Sequence, residues 1–279
     1  MELQFSKTNA QAAETDLALA RAALYSALAL GFRRPTEDTL RRLVDEESVD
    51  ALTDAAAVLD PLPFGAREIN QNDLAATANS GLAAAVKSLA RSQSLSVARL
   101  ASSFDRLFGH TARGAVTPYE TEYGTETLFQ QPHEMGDLMG FYGAFGLTLN
   151  PSEHERPDHI SCECEFLSFL ALKEAYALEQ GDAALVEATR SATRLFLRDH
   201  LGRFAPAFSA RLKRRADGGF YGALANLCGE LVAADCARFG VPLGSQSLGL
   251  RPAPDDRVPM ACGSGAACPA MPGTSAAEE

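Results

Sequence analysis

The chain has 279 residues and a formal net charge of −11 at pH 7, and 46% of its residues are hydrophobic. Such a composition can form a sizeable core, and the negative charge argues against a nucleic-acid partner, because a phosphate backbone requires a basic protein face. The six cysteines are too few for a disulfide scaffold, no run of about 18 apolar residues predicts a membrane helix, and the N-terminus lacks a secretion signal. We therefore expect a cytoplasmic protein with no stable membrane insertion.

The pattern of apolar residues predicts an all-α protein. Alanine and leucine recur at helical spacing, whereas β-branched and aromatic residues never form the alternating runs of strands. In chain order the predicted helices cover residues 16–30 with Thr15 as N-cap, a segment from Thr36, then 73–91, 96–108, 132–146, 159–180, 182–198, 203–215 and 220–240.

These helices predict one bundle-like domain with a shorter segment at each end. Residues 1–14 are expected to be flexible, residues 15–240 to form the helical domain, and residues 241–279 to form a disordered tail. The tail is rich in proline, glycine, alanine and serine and has little apolar surface to bury. It carries Cys262 and Cys268, whose role the sequence does not define.

A long segment without helical periodicity, residues 109–131, interrupts the domain. It contains Tyr119 and Tyr123 among glycine, threonine and glutamate residues. Segments of this length in a compact domain are usually functional or disordered, and the aromatic residues favour an ordered, functional loop.

The densest polar cluster is Glu-His-Glu-Arg-Pro-Asp-His at residues 153–159. Asp158 precedes a predicted helix and is expected to be its N-cap. His159 would then lie in the first turn, where the positive end of the helix disfavours protonation. A neutral imidazole beside a carboxylate at a helix N-terminus is suited to bind an arginine or a hydrogen-bonding peptide.

A metal site is the alternative for the same cluster. A helical metal-dependent hydrolase would use His154, His159 and Glu163 as its ligands. Cys162 and Cys164 do not extend this set, because at about 100° per residue Cys164 lies about 140° around the helix from His159. The sequence has neither a nucleophile elbow nor a phosphate-binding loop, which favours binding over catalysis.

Several short motifs follow one another between Asp16 and Gly240. The first pair is Phe104-Asp-Arg-Leu-Phe-Gly109 and Thr117-Pro-Tyr-Glu-Thr-Glu-Tyr-Gly124, and the second is Glu155-Arg-Pro-Asp-His-Ile160 running into Glu163-Cys-Glu-Phe-Leu167. In this order they resemble the TorD/DmsD family of chaperones for molybdoenzymes. The chain departs from the family by lacking the tryptophan that many relatives carry in the loop, and by having Cys164 where leucine is usual.

The resemblance implies an all-helical cytoplasmic chaperone that is not an enzyme. Such a protein binds the twin-arginine leader or N-terminal segment of a molybdopterin oxidoreductase catalytic subunit and assists cofactor insertion, assembly and export. The motif at residues 119–124 is most similar to the subgroup serving enzymes that act on dimethyl sulfide, ethylbenzene, selenate or chlorate. The resemblance implies no resident cofactor, although weak contact with a nucleotide or with molybdopterin stays open. The oligomeric state, monomer or domain-swapped dimer, also stays open. A further alternative is a helical regulatory scaffold that binds no leader.

Carried over by position, the resemblance also implies the partner-binding residues. Asp158 and His159, preceded by Pro157, would contact the leader, and Tyr119 would be the aromatic residue of the loop. Two apolar residues, Leu107 and Phe108, would line a groove. An acidic rim suited to paired arginines would come from glutamates, among them Glu120, Glu122 and Glu155.

Overall fold

The computed structural model describes residues 2–59, 81–91, 95–109, 114–125, 131–152 and 155–252. Over these residues the protein contains ten α-helices and no β-strand, which confirms the all-α prediction. None of the described helices combines the length and apolar character needed to span a bilayer. The helices are α1 (Glu2–Gly31), α2 (Glu37–Val44), α3 (Glu46–Leu59), α4 (Leu82–Ala90), α5 (Val97–Phe108), α6 (Gln131–Ala144), α7 (Ile160–Gln180), α8 (Ala183–Asp199), α9 (Leu201–Arg215) and α10 (Gly219–Arg238).

The first helix begins earlier than the sequence analysis predicted. Helix α1 starts at Glu2, and Thr15 lies within it, where its hydroxyl donates a hydrogen bond to the carbonyl of Gln11 at 3.0 Å. The prediction of Thr15 as an N-cap is therefore wrong. The predicted end at Gly31 is confirmed, and a Cβ atom there would lie only 2.7 Å from the side chain of Leu224.

Two helix starts follow the sequence closely because their caps are local. The hydroxyl of Thr36 accepts a hydrogen bond from the backbone N–H of Thr39 at 3.3 Å at the start of α2. The carboxylate of Asp182 accepts one from the N–H of Leu185 at 2.9 Å at the start of α8. Each cap satisfies a backbone donor of the first turn, so the positions of these helices are determined within a few residues.

The centre of the fold is an antiparallel pair formed by α1 and α7. The hydroxyl of Ser168 on α7 donates to the carbonyl of Ala22 on α1 at 2.8 Å. Nearby, the buried guanidinium of Arg21 contacts Glu174 on α7 and Asp235 on α10 at 2.8 Å each. A charge without solvent is stable only when it is paired, so this triad fixes the relative position of three helices.

The described body continues past the expected boundary at residue 240, through residues 241–252. The backbone N–H of Gly244 donates to the carbonyl of Gly202 at 3.0 Å, and the N–H of Arg251 donates to the carbonyl of Glu122 at 2.8 Å. The first part of the predicted tail is thus attached to the domain. The remainder of the tail, with its two cysteines, lies outside the described residues.

Candidate functional site

The structure brings the two family motifs together. Residues 117–124, which we call the motif loop, pack against residues 155–159, the Pro-Asp-His turn that leads into α7. The backbone N–H of Glu120 donates to the carbonyl of Asp158 at 2.8 Å, and Tyr119 forms an antiparallel bridge with the last residue of the turn. Residues about 35 positions apart in the sequence therefore form one site.

Asp158 is at the centre of this site and is fully buried, with 0% of its surface exposed. Its carboxylate accepts hydrogen bonds from the hydroxyl of Thr121 at 2.7 Å and from the guanidinium of Arg156 at 2.7 and 2.9 Å. It does not cap α7, so the predicted N-cap role of Asp158 is wrong. The carboxylate is used instead to hold the motif loop.

His159 is the N-cap of α7. Its Nδ1 accepts a hydrogen bond from the backbone N–H of Ser161 at 3.1 Å, which fixes the tautomer with the proton on Nε2. Burial, followed by the charges of Arg33 and Arg156, lowers the pKa of His159 to about 3. The imidazole is neutral, as the sequence predicted, but the main cause is burial and not the helix dipole.

Tyr119 covers one side of the turn. Its ring lies edge-on to the His159 ring with centroids 5.3 Å apart, and the Cζ atom of Arg156 is 4.4 Å from the Tyr119 centroid. The Tyr119 hydroxyl donates to Glu155 at 3.2 Å. Burial and the neighbouring Glu155 carboxylate raise the Tyr119 pKa to about 12, so this hydroxyl is a donor at physiological pH. Pro157 contributes its carbonyl, which accepts from the Tyr142 hydroxyl at 2.8 Å.

Glu120 and Glu122 were expected to form part of an exposed acidic rim, but both residues are buried. Glu120 is bound by the Nδ1 of His200 at 3.1 Å and by the guanidinium of Arg203 at 2.7 Å. The backbone carbonyl of Glu122 accepts the hydrogen bond from Arg251. These glutamates anchor the motif loop to the body and do not present charge to solvent.

Leu107 and Phe108 also point into the body. Leu107 is buried, and its carbonyl accepts a hydrogen bond from the backbone N–H of Val116 at 2.8 Å. The ring of Phe108 contacts those of Phe208 and Tyr221 at centroid distances of 6.4 and 5.6 Å. Both residues are buried in the core below the motif loop.

A cavity of about 390 Å³ opens on the other side of the Pro-Asp-His turn. Its volume is within the range of small-ligand and side-chain pockets. Arg33 and Glu165 form an ion pair at its mouth, and both side chains are accessible to solvent. The lining residues are Tyr142, Leu147, Leu149, Phe166 and Phe169 on the apolar side, and Arg33, Arg34, Thr148, Asn150, Glu155, Ser161, Cys162 and Glu165 on the polar side.

The alternative of a metal site gains no support from the described residues. Among them, no group of three or more His, Cys, Asp or Glu side chains is arranged to hold a metal ion. His154 lies outside the described residues, and the Nδ1 of His159 is engaged at the helix start. Burial, together with the charges of Glu120 and Asp158, raises the Glu163 pKa well above its usual value, which favours a neutral carboxyl group.

Comparison with known proteins agrees with these motifs. A family model described as the nitrate reductase delta subunit matches residues 71–210, half of the chain. The chain belongs to this family, the TorD/DmsD family. One relative is the selenate reductase assembly chaperone of Thauera selenatis, which is 32% identical over 47% of this chain and 78% of its own length. Another is the chlorate reductase assembly chaperone of Ideonella dechloratans, which is 39% identical over 37% of this chain.

The match covers about half of the chlorate reductase assembly chaperone, 52% of its length. The chaperone protein TorD of Photobacterium profundum is 30% identical over 50% of this chain and 62% of its own length. All three TorD/DmsD relatives are named as chaperones and none as a catalyst, in agreement with the expectation that the chain is not an enzyme.

Arg156 and Thr121 are site residues that were not among those predicted from the sequence. Both contact the Asp158 carboxylate directly. Arg156 had a local signal, because it stands two positions before Asp158 with only Pro157 between them. Thr121 had none, since its contact depends on how the motif loop packs against the turn.

Proposed function

We propose that the chain is a system-specific assembly chaperone for the catalytic subunit of a molybdopterin oxidoreductase. It binds the twin-arginine leader or N-terminal segment of that subunit in the cytoplasm, before cofactor insertion and export are complete. Membership of the TorD/DmsD family and the names of the selenate and chlorate reductase relatives support this proposal. They also favour a client of the same subgroup of reductases and dehydrogenases.

The observation that carries the proposal is the cavity beside the Pro-Asp-His turn. Phe166 and Phe169 give it an apolar wall, while Glu155 and Glu165 place two carboxylates at its edge. A leader combines an apolar stretch with paired arginines: the apolar wall fits the stretch, and a leader arginine would pair with Glu155 or take the place of Arg33 on Glu165. Glu155 also accepts from the Tyr119 hydroxyl, so the cavity is continuous with the family motif.

The predicted partner-binding residues have two kinds of role under this proposal. Tyr119 and Pro157 are partly exposed at the edge of the binding surface, and Asp158 and His159 are buried directly behind them. The remaining predicted residues act inside the fold by holding the motif loop in place; these are Leu107, Phe108, Glu120 and Glu122. The acidic rim is supplied by Glu155 and Glu165.

Calorimetric titration with a synthetic leader of the client tests the apolar wall. Phe169→Ala should weaken leader binding about tenfold, because a truncated aromatic anchor typically costs more than about 1 kcal/mol. Tyr176→Ala is the matched control: Tyr176 lies on the same helix, is exposed and does not line the cavity. Equal affinity of both variants and the unchanged protein would contradict the assignment of the cavity.

The acidic edge is tested in the same assay. Glu165→Gln should weaken leader binding and reduce its dependence on salt, because the lost contact is between partly exposed charges that salt screens over about 8 Å at physiological ionic strength. Glu179→Gln, an exposed position near the end of the same helix, should leave both unchanged. If no leader of a molybdopterin oxidoreductase binds the unchanged protein at any salt concentration, the proposed function is wrong.

A further inference from the structure

The Pro-Asp-His turn contains a complete recognition site for a guanidinium group, and the chain fills that site with its own Arg156. The guanidinium donates from Nε to Asp158 Oδ1 at 2.9 Å and from Nη2 to Asp158 Oδ2 at 2.7 Å. Nη2 also donates to the Thr121 hydroxyl at 2.9 Å, and the Tyr119 ring lies against Cζ at 4.4 Å. A carboxylate that makes a bidentate contact and an aromatic ring that stacks on the guanidinium are the features by which a binding site selects arginine over lysine.

We propose that Tyr119, Thr121 and Asp158 form an arginine-binding site, that Arg156 occupies it in the free protein, and that an arginine of the client leader displaces Arg156 on binding. The displacement by a leader rests on the proposed function. The existence of an exchangeable guanidinium site does not, because it follows from the contacts within this chain.

Arg156 is the removable member of this site. Its side chain is 34% exposed, whereas that of Asp158 is fully buried beneath it. The motif loop and the turn remain joined without Arg156, because the N–H of Ile160 donates to the carbonyl of Pro118 at 2.9 Å and Thr121 bonds Asp158 directly. Arg156 can therefore rotate into solvent while the walls of the site keep their positions.

Exchange of one guanidinium for another conserves the contacts inside the site. The carboxylate is paired before and after, so no buried charge is left without a partner. The resident arginine competes as a tethered group, at an effective concentration on the order of millimolar or above. An isolated arginine side chain consequently binds poorly, and only a segment that also fills the neighbouring cavity gains enough to displace Arg156. The tethered arginine thus makes the site selective for a leader over any exposed arginine.

The first experiment asks whether the site accepts a free guanidinium. Thermal melts of Arg156→Ala are recorded with millimolar ethylguanidinium or ethylammonium at constant ionic strength. Ethylguanidinium should raise the melting temperature of the variant in a saturable manner, and ethylammonium should not. The unchanged protein, the double variant Arg156→Ala/Asp158→Asn and the remote control Arg198→Ala should show no saturable response.

If Arg156→Ala does not fold alone, ethylguanidinium should restore its helical circular dichroism, and failure to do so overturns the proposal. Arg156→Lys, which keeps the charge but not the two-pronged contact, should show the same selective response at higher ligand concentration.

The second experiment separates displacement from a purely structural role of Arg156. The leader should bind Arg156→Ala roughly tenfold more tightly than the unchanged protein, because the fraction of binding-competent sites rises when the resident arginine is removed. Ethylguanidinium should weaken that binding, and a leader with both arginines changed to lysine should lose the gain. If the leader binds the variant no more tightly than the unchanged protein, the displacement is wrong while the proposed function stands. Ethylguanidinium rescue without leader binding to either protein would instead overturn both the proposed function and the displacement.

Discussion

Arg21 and Asp235, 214 positions apart in the sequence, form a buried ion pair in which the Nε–H of Arg21 donates a bifurcated hydrogen bond to the two carboxylate oxygens, at 2.8 and 3.0 Å. Asp235→Ala should lower the free energy of unfolding by about 3–5 kcal/mol, because it leaves the Arg21 guanidinium buried with one partner fewer. Urea denaturation followed by circular dichroism measures the change. Asp38→Ala, which removes an exposed carboxylate that pairs with Arg41 and Arg42, should cost less than about 1 kcal/mol. Similar losses for both variants would show that the buried pair is not a specific tie between α1 and α10.

The titration of the buried Glu163 carboxyl group is expected to lower the free energy of unfolding as the pH rises. The carboxyl group of Glu163 is buried next to Glu120 and Asp158, and this burial and the neighbouring charges raise its pKa. Above the unfolded pKa, the unfolded chain releases the Glu163 proton while the folded chain retains it, so the folded state loses stability until the folded pKa is passed.

Glu163→Gln removes this titration while keeping the size of the side chain. Between pH 5 and pH 8 the stability of the variant should rise relative to the unchanged protein by up to about 1.4 kcal/mol per pH unit. Urea denaturation at several pH values gives the difference. A difference that stays constant over this range would mean that the Glu163 carboxyl is ionised in the folded state.

His159 should have the opposite dependence on pH. Its folded pKa is about 3, below the unfolded value of about 6.5, so the unfolded state binds more protons as the pH falls from about 6.5 towards 3. His159→Asn keeps an N-cap acceptor for α7 and removes the titration. Relative to this variant, the unchanged protein should lose about 2–3 kcal/mol between pH 7.5 and pH 4.5. The remaining histidines are common to both proteins and cancel in the comparison, so parallel pH profiles would contradict a buried neutral His159.

Truncation after Gly244 should destabilise the protein. If the whole segment from residue 241 onwards were disordered, the same truncation would leave the stability unchanged. It removes Arg251, which donates to Glu122 through its backbone and contacts Glu134 through its guanidinium at 2.6 Å. We expect the melting temperature to fall by more than about 4 °C, corresponding to a loss of roughly 1–2 kcal/mol. Truncation after Pro252 keeps every described contact and is the control. If both truncations melt at the same temperature, the contacts of residues 245–252 contribute little to stability.

The sequence predicts the helical class and several helix ends because these depend on residues a few positions apart. Thr36 and Asp182 cap their helices through hydrogen bonds to residues three positions later. Local preference favours Asp158 over His159 as the cap of α7, although the Nδ1 of a neutral histidine can also accept from a backbone N–H. The choice is decided by Thr121, which lies 37 positions from Asp158 and binds its carboxylate.

The same limit explains why Glu120 was expected at an exposed rim. A glutamate in a loop rich in glycine and threonine is normally solvated, and no nearby residue indicates otherwise. Its partners His200 and Arg203 are 80 and 83 positions away, on the far side of α7 and α8 in the sequence. The family resemblance pointed to the segment that forms the motif loop, whereas the direction in which each side chain points depended on tertiary packing.

The attachment of Arg251 to the motif loop has a consequence for the order of events during synthesis. The carbonyl of Glu122 and the carboxylate of Glu134 both accept hydrogen bonds from Arg251, a residue that is translated more than one hundred positions later. Helices of the N-terminal half can begin to pack on a nascent chain, since domains fold as their residues emerge. The motif loop, however, receives the hydrogen bond from Arg251 only once that residue has left the ribosome. A partly synthesised chain that ends before Arg251 therefore lacks two of the hydrogen bonds that attach the motif loop and α6 to the rest of the domain.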